Sequence, residues 1–182
     1  MKLHLCGLGL AILFLVVPGA FAQNDASLDA GRKIRDGGVA HGVQMYQRHV
    51  QDRSQVLYYY SQSKQPIPKV EATELVTGIR KDLTASDKAL SKLKTEHAKE
   101  PEVVKLITSI EKHHAKAHEV CNTAEEHCLK EHGDQVVIGD CCSEMWHEID
   151  AARMETTQLL KLLKIEKLDA PKKVTAKKEA SK

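Results

Sequence analysis

Residues 101–132 read PEVVKLITSIEKHHAKAHEVCNTAEEHCLKEH. Apolar and small residues recur in this stretch at intervals of three and four, which is the pattern of an amphipathic helix. We predict a helix over the whole stretch, with Pro101 in its first turn and Gly133 just beyond its end. The predicted buried face begins aliphatic and ends in imidazole and thiol groups. Its residues are Val103, Ile107, Ile110, His114, Ala117, Cys121, Ala124 and Cys128.

Three further stretches carry the same three-and-four spacing, and the alternation typical of β-strands is absent. We predict helix 1 over 39–64, a turn at Pro66–Pro68, helix 2 over 69–98, and helix 4 from 141 to about 168 with Asp140 as its N-cap. The predicted fold is all-α, an antiparallel up-down-up-down four-helix bundle. The stripe of helix 2 is Val76, Ile79, Leu83, Ser86, Leu90, Leu93 and His97, and that of helix 4 is Cys142, Met145, Ile149, Ala152, Thr156, Leu159 and Leu163.

The first 22 residues resemble a secretory signal peptide. Lys2 supplies a positive charge, residues 7–17 form an uncharged apolar run, and Ala20-Phe21-Ala22 is a small-x-small cleavage motif. The run is too short for a comfortable membrane span, which needs about 20 apolar residues. We expect cleavage before Gln23, and export to a periplasm or to the extracellular space.

The remaining chain divides into three predicted parts. Residues 23–38 are expected to be weakly structured, because Gly37-Gly38 should break a helix there. The four-helix bundle is expected over 39–168. Residues 169–182 are Lys-rich and begin near Pro171, which predicts a disordered, solvated tail.

Composition excludes several classes of function. Lysine and arginine (27) nearly balance aspartate and glutamate (25), and no helix carries a basic stripe with interleaved aromatics, so we expect no nucleic-acid partner. The chain lacks a nucleophile elbow, a phosphate loop, a dinucleotide fingerprint and a Cys-x-x-Cys motif. With few aromatics to line a pocket, we expect a protein that is not an enzyme.

Potential metal ligands are concentrated in one region. Six of the ten histidines lie between His113 and His147, together with four of the five cysteines. Imidazole, thiolate and carboxylate groups are the usual ligands of zinc and copper. The candidate ligands of helix 3 step by four, three, four, three and therefore share one helix face. They are His114, His118, Cys121, Glu125 and Cys128.

We predict two candidate sites, the first of them from the approximate register between helices 1 and 3. One combines His49 of helix 1 with His114 and His118, assisted by Glu111. The other combines Cys121, Glu125 and Cys128. The competing interpretation is that these histidines are surface residues and the cysteines are buried apolar groups or disulfide partners.

The cysteines also suggest a disulfide, since exported proteins can retain one. Antiparallel pairing of helices 3 and 4 brings Cys128 within about one turn of Cys142, with Cys141 as the alternative partner. Cys121 lies about 10 Å further along helix 3 by the same rise per residue, too far to pair with Cys128. We predict a Cys128–Cys142 staple and a free or metal-binding Cys121.

Two Glu-x-x-His pairs, Glu111…His114 and Glu144…His147, resemble the ligand pairs of ferritin-like di-metal enzymes. The likeness is incomplete, because the predicted inward face of helix 4 leaves His147 outside. We therefore expect an exported, non-catalytic bundle that binds or sequesters copper or zinc. The alternative is a structural or interaction bundle with disulfide staples and no metal, and a di-metal enzyme ranks below both.

Overall fold

The computed structural model describes residues 19–63, 65, 67–130 and 134–165, with side chains from residue 29 onward. Its helices are α1 (Gly19–Ser61), α2 (Lys69–Glu96), α3 (Pro101–Leu129) and α4 (Gln135–Leu162). The described residues contain no strand, which confirms the all-α, four-helix class. The predicted signal sequence before Gly19, Gly133 and the Lys-rich tail lie outside these residues. None of the described helices is long and apolar enough to cross a membrane.

The chain divides into two compact units, residues 1–32 and 33–182. The described part of the first unit is helical from Gly19 to Arg32. The second unit contains the rest of α1 together with α2, α3 and α4. Within it, α3 packs against both α2 and α4.

The starts of α2 and α3 agree with the sequence. α2 begins directly after Pro68, and Pro101 occupies the first turn of α3, where its missing amide costs no helical hydrogen bond. The start of α4 was predicted wrongly at 141. Asp134, and not Asp140, is the N-cap: its carboxylate accepts hydrogen bonds from the amides of Val136 (2.9 Å) and Val137 (3.4 Å).

The prediction that Gly37-Gly38 interrupts any helix over 23–38, so that helix 1 begins only at Val39, was also wrong, since α1 runs through both glycines. Each glycine in a helix interior costs about 1 kcal/mol relative to alanine, which tertiary packing can offset. Here Asp36 and Ala40 are buried on either side of the pair. Gly37 itself lies against Ile165, so close that a Cβ atom would stand 3.0 Å from Ile165 Cγ2. The packing of this segment therefore overrides its low helix propensity.

The predicted stripes of α2, α3 and α4 are buried at every position. They form two large apolar clusters. One contains Val50 of α1 and Ile149 of α4, and the other contains Val43 of α1 and Leu159 of α4. Four fully buried polar residues, one from each helix, lie near the boundary between these clusters. We call them the polar layer; they are Gln47, Ser86, His114 and Thr156.

Candidate functional site

The polar layer is positioned by the helix stripes themselves. Ser86 lies between Leu83 and Leu90 on α2, and His114 lies between Ile110 and Ala117 on α3. The apolar neighbours of Ser86 and His114 on the same helix face pack in the core, so the side chains of Ser86 and His114 also point into the core. Polar groups buried in this way must find partners inside the protein, because losing water without a hydrogen bond costs free energy.

His114 finds its main partner on α2. Its Nδ1 lies 2.7 Å from Oδ1 of Asp87, and the Nε2 of His118 lies 2.9 Å from the other carboxylate oxygen, Oδ2. With Asp87 ionised, both imidazoles donate to it. Two imidazoles from one face of α3 thus converge on a single carboxylate from α2. We call this the Asp87 cluster.

The second nitrogen of His114 faces α1. The Nε2 of Gln47 lies 3.0 Å from Nε2 of His114 and 3.0 Å from Oγ1 of Thr156. The Thr156 hydroxyl in turn donates to the carbonyl of Ala152, at 2.8 Å. The polar layer therefore joins α1, α3 and α4 through side-chain hydrogen bonds, and the Asp87 cluster adds α2.

Two buried oxygens of the polar layer have no hydrogen-bond partner among the described residues, namely Oε1 of Gln47 and Oγ of Ser86. An unpaired buried polar atom costs about 1–3 kcal/mol. Both residues belong to the same layer as His114. This corner of the core therefore holds oxygen atoms that a further polar group or cation would satisfy.

Asp87 is held in its charged form. Burial opposes its ionisation, but the hydrogen bonds and positive charge of His114 and His118 outweigh burial and lower the pKa of Asp87 to about 2. The carboxylate is thus negative across the physiological pH range. Its side chain is 38% exposed and that of His118 is 32% exposed, so the cluster can be reached from solvent, whereas His114 is buried.

Of the predicted ligands, only His114 and His118 are brought together by a shared partner. Glu111 is ion-paired with Lys94 on α2, with 2.5 Å between its Oε2 and the Lys94 Nζ. Glu125 is ion-paired with Arg80 on α2, also at 2.5 Å. Both carboxylates are therefore already engaged with a lysine or arginine.

His49 is also placed differently from the prediction. Its Nδ1 lies 3.8 Å from Oδ2 of Asp82, a buried carboxylate that binds the guanidinium of Arg53. The α1 side chain that hydrogen-bonds to His114 is instead Gln47, two residues earlier. The register assumed between helices 1 and 3 was inaccurate by this amount.

No three His, Cys, Asp or Glu side chains within the described ranges are arranged so that they could directly hold a metal ion. In the Asp87 cluster the donor atoms face one another through N–H···O hydrogen bonds instead of pointing at a common centre. A cation would have to take the place of the bridging protons, with a small adjustment of the three side chains.

The four cysteines of α3 and α4 are buried free thiols, so the structure contains no Cys128–Cys142 or Cys128–Cys141 bond. Burial raises the pKa of Cys121 and of Cys128 to about 11, and it also raises the pKa of Cys141 and Cys142. Cys121, Cys128 and Cys142 belong to one buried core cluster, and Cys141 belongs to a smaller cluster of α3 and α4. Metals bind thiolates, and burial disfavours the thiolate form of these cysteines as long as no metal displaces the proton.

Other histidines also pair with carboxylates from a different helix. His113 on α3 lies 2.6 Å from Glu148 on α4. His97, at the end of α2, lies 3.1 Å from Asp36 on α1 and 2.9 Å from Glu100. Histidine–carboxylate pairing between helices is therefore a general feature of this bundle, and the Asp87 cluster differs in sharing one acid between two imidazoles.

Asp87 and Gln47 were missed by the sequence interpretation. Asp87 follows Ser86, at the edge of the α2 stripe, and its partners depend on the register of α2 against α3. Gln47 lies four residues after Val43 and three before Val50, a stripe position at which a polar residue interrupts the apolar pattern. A polar residue at a stripe position, as at Gln47, was the available signal.

Comparison with protein-family models, with curated proteins and with solved structures finds no match to this chain.

Proposed function

We propose that this protein is an exported, non-catalytic helical bundle, with its helices in antiparallel up-down-up-down order after a cleaved signal peptide, and that it binds copper or zinc at the Asp87 cluster. The observation that carries the proposal is the convergence of His114 and His118 on one ionised carboxylate supplied by a second helix. Two imidazoles and a carboxylate form a ligand set that suits Zn²⁺ and Cu²⁺.

The charge of the cluster favours a cation. Asp87 is ionised over the whole range in which imidazoles are neutral and able to coordinate, since its pKa is about 2. The partial exposure of Asp87 and His118 provides an entry path and room for a solvent ligand. Three protein ligands leave one position for a solvent molecule, whereas sites with a purely structural zinc are usually closed by four protein ligands.

Gln47 provides a means of orienting His114. If Nδ1 of His114 coordinates a metal, its proton moves to Nε2, which then donates a hydrogen bond. A half-turn of the Gln47 amide presents Oε1 to that donor and gives this oxygen the partner it otherwise lacks. A hydrogen bond to the distal nitrogen is the usual way in which a protein orients a metal-binding imidazole.

The test is a calorimetric titration of the mature protein with Zn²⁺ and with Cu²⁺, combined with thermal unfolding. We expect stabilisation that grows with metal concentration, about 2.7 kcal/mol at a hundredfold excess over Kd. Asp87→Asn and His118→Ala should each abolish most of this effect. His147→Ala removes an exposed histidine outside the cluster and serves as the matched control.

The alternative is a structural or interaction bundle without metal. The observation that favours it is that the Asp87 cluster and the polar layer already connect all four helices through hydrogen bonds. If neither metal changes the unfolding temperature, or if Asp87→Asn binds metal as tightly as the unchanged protein, the metal proposal is wrong and this alternative stands.

A further inference from the structure

Four of the chain's five tyrosine and tryptophan residues lie on one surface. The chain has four tyrosines and one tryptophan, and Tyr58, Tyr59, Tyr60 and Trp146 line neighbouring grooves where the end of α1 meets α4 and α2. We call this the aromatic surface. Tyr59 is 63% exposed and Val56 is 43% exposed. Tyrosine and tryptophan are the residues most enriched at the energetic centres of protein interfaces.

Three shallow grooves follow one another across this surface. The first, of about 190 Å³, lies between Tyr58, Tyr59 and Trp146. The second, of about 300 Å³, lies between Val56, Tyr59 and Tyr60. Shared residues make the grooves contiguous, because Tyr59 lines the first and second, and Tyr60 lines the second and third.

The third groove, also about 300 Å³, is bordered by acidic residues of α2. Glu71 and Glu74 line it and are exposed, and no ion pair involves either of them among the described residues. Arg53 lines the same groove, but its guanidinium is bound to Asp82. The aromatic surface therefore runs from an uncharged, ring-lined end to an end with net negative charge.

The shape of the surface restricts its partner. The backbone amides of α1 and α4 are used inside the helices, so the surface offers no sheet edge to which a strand could be added. A polyproline II segment needs no such edge, since its own backbone is solvated, and aromatic-lined grooves are its usual receptor. The three grooves follow one another across α1, from the side that faces α4 to the side that faces α2, so an extended segment can contact all three by crossing α1.

We propose that the aromatic surface binds an extended, proline-containing peptide segment of a partner protein that carries an arginine or lysine at one end. The prolines pack on the rings of Tyr58, Tyr59 and Trp146, and the basic residue lies beside Glu71 and Glu74. Gln55, whose amide already donates to the hydroxyl of Tyr59 at 3.1 Å, holds the most exposed ring of the surface in place. This inference is independent of metal binding at the Asp87 cluster.

The test uses the mature protein and the synthetic peptide acetyl-Pro-Pro-Leu-Pro-Pro-Arg-amide. Trp146 is the sole tryptophan, so its fluorescence reports binding to the first groove directly. We expect saturable binding in the micromolar to low millimolar range. Replacing the terminal arginine by glutamate should weaken binding by about two- to fivefold, as expected for an exposed ion pair. Replacing the prolines by glycine should abolish binding.

Calorimetry on protein variants distinguishes peptide binding at the aromatic surface from non-specific binding elsewhere on the protein. Tyr59→Ala should weaken binding by roughly tenfold without unfolding the protein, because the side chain is largely exposed. Met154→Ala, an equally exposed apolar residue of α4 outside the grooves, should leave affinity unchanged. Equal binding of the arginine and glutamate peptides, no binding at all, or a stable dimer that buries Tyr59 would each overturn the proposal.

Discussion

His114 on α3 donates a hydrogen bond from Nδ1 to Oδ1 of Asp87 on α2, over 2.7 Å. The contact joins a fully buried ring to a carboxylate that is partly open to solvent. The hydrogen bond therefore links two helices. It also makes the polar layer sensitive to pH, because the carboxylate that His114 binds can exchange protons with solvent.

Acid should weaken the bundle through Asp87. Its pKa is lowered to about 2 in the folded protein from an ordinary value of 3.8, so its contribution to stability is complete above pH 4 and is lost as the pH falls toward 2. Asp87→Asn should reduce stability at pH 7 and flatten its pH dependence between pH 4 and 2. Urea unfolding at several pH values measures both effects. Parallel curves for the two proteins would contradict this assignment.

Removal of the buried ring should be costly. His114→Ala leaves a cavity and takes away the partner of both Asp87 and Gln47, so we expect a loss of about 2–4 kcal/mol in the free energy of unfolding. His147 is exposed, and His147→Ala should change stability by less than about 0.5 kcal/mol. Chemical denaturation of both variants and of the unchanged protein measures the difference in the free energy of unfolding. Similar decreases in the two variants would show that the polar layer contributes little to stability.

Alkaline conditions should destabilise the reduced protein. Burial raises the pKa of Cys121 and Cys128 from 9.0 to about 11, so the folded state retains protons that the unfolded state releases. The stabilising contribution of each thiol is complete below pH 9 and is lost as the pH rises to 11, at up to about 1.4 kcal/mol per pH unit. Cys121→Ala should make the decline shallower in unfolding experiments with the thiols kept reduced. An unchanged slope would show that Cys121 does not titrate as its burial implies.

Oxidation should produce the Cys128–Cys142 staple that the sequence predicts. The four cysteines of α3 and α4 are free in the structure, and Cys128 and Cys142 belong to the same buried core cluster. Protein isolated from an oxidising compartment should show two reactive thiols after denaturation, not four. Cys142→Ser should shift pairing to Cys141, which peptide mapping would detect. Four titratable thiols after exposure to an oxidising compartment would disprove the staple.

The paired glycines of α1 should respond in opposite ways to alanine. Gly38 is exposed and has nothing within 4 Å of an added Cβ, so Gly38→Ala should stabilise the protein by about 0.5–1 kcal/mol. At Gly37 the same methyl group would meet Ile165 at 3.0 Å, and Gly37→Ala should give no gain or a loss. Thermal unfolding distinguishes the two. An equal gain at both positions would mean that α1 is not packed there as described.

The apolar stripes predicted which residues form the core of α2, α3 and α4, because a period of three and four directly reflects one buried helix face. The same rule located His114 in the interior. The stripe rule could not identify Asp87, because the partners of Asp87 depend on how far α2 is shifted along α3. The residue pattern within one helix carries no information about that shift. Asp134 was overlooked for a related reason: the weak pattern of residues 135–140 concealed an additional turn of α4.

The polar layer also determines which arrangement of the chain is tolerated. A slip of one helical turn by α3 would set the His114 imidazole against aliphatic groups and leave Asp87 and Gln47 without it, so an offset assembly is penalised even though its aliphatic contacts would be nearly as good. The polar layer thus fixes the register of the helices relative to one another. A helix transplanted from this protein into another bundle would bring its buried polar residue with it. The host would fold stably only if its core offered complementary hydrogen-bonding groups at the same level along the bundle.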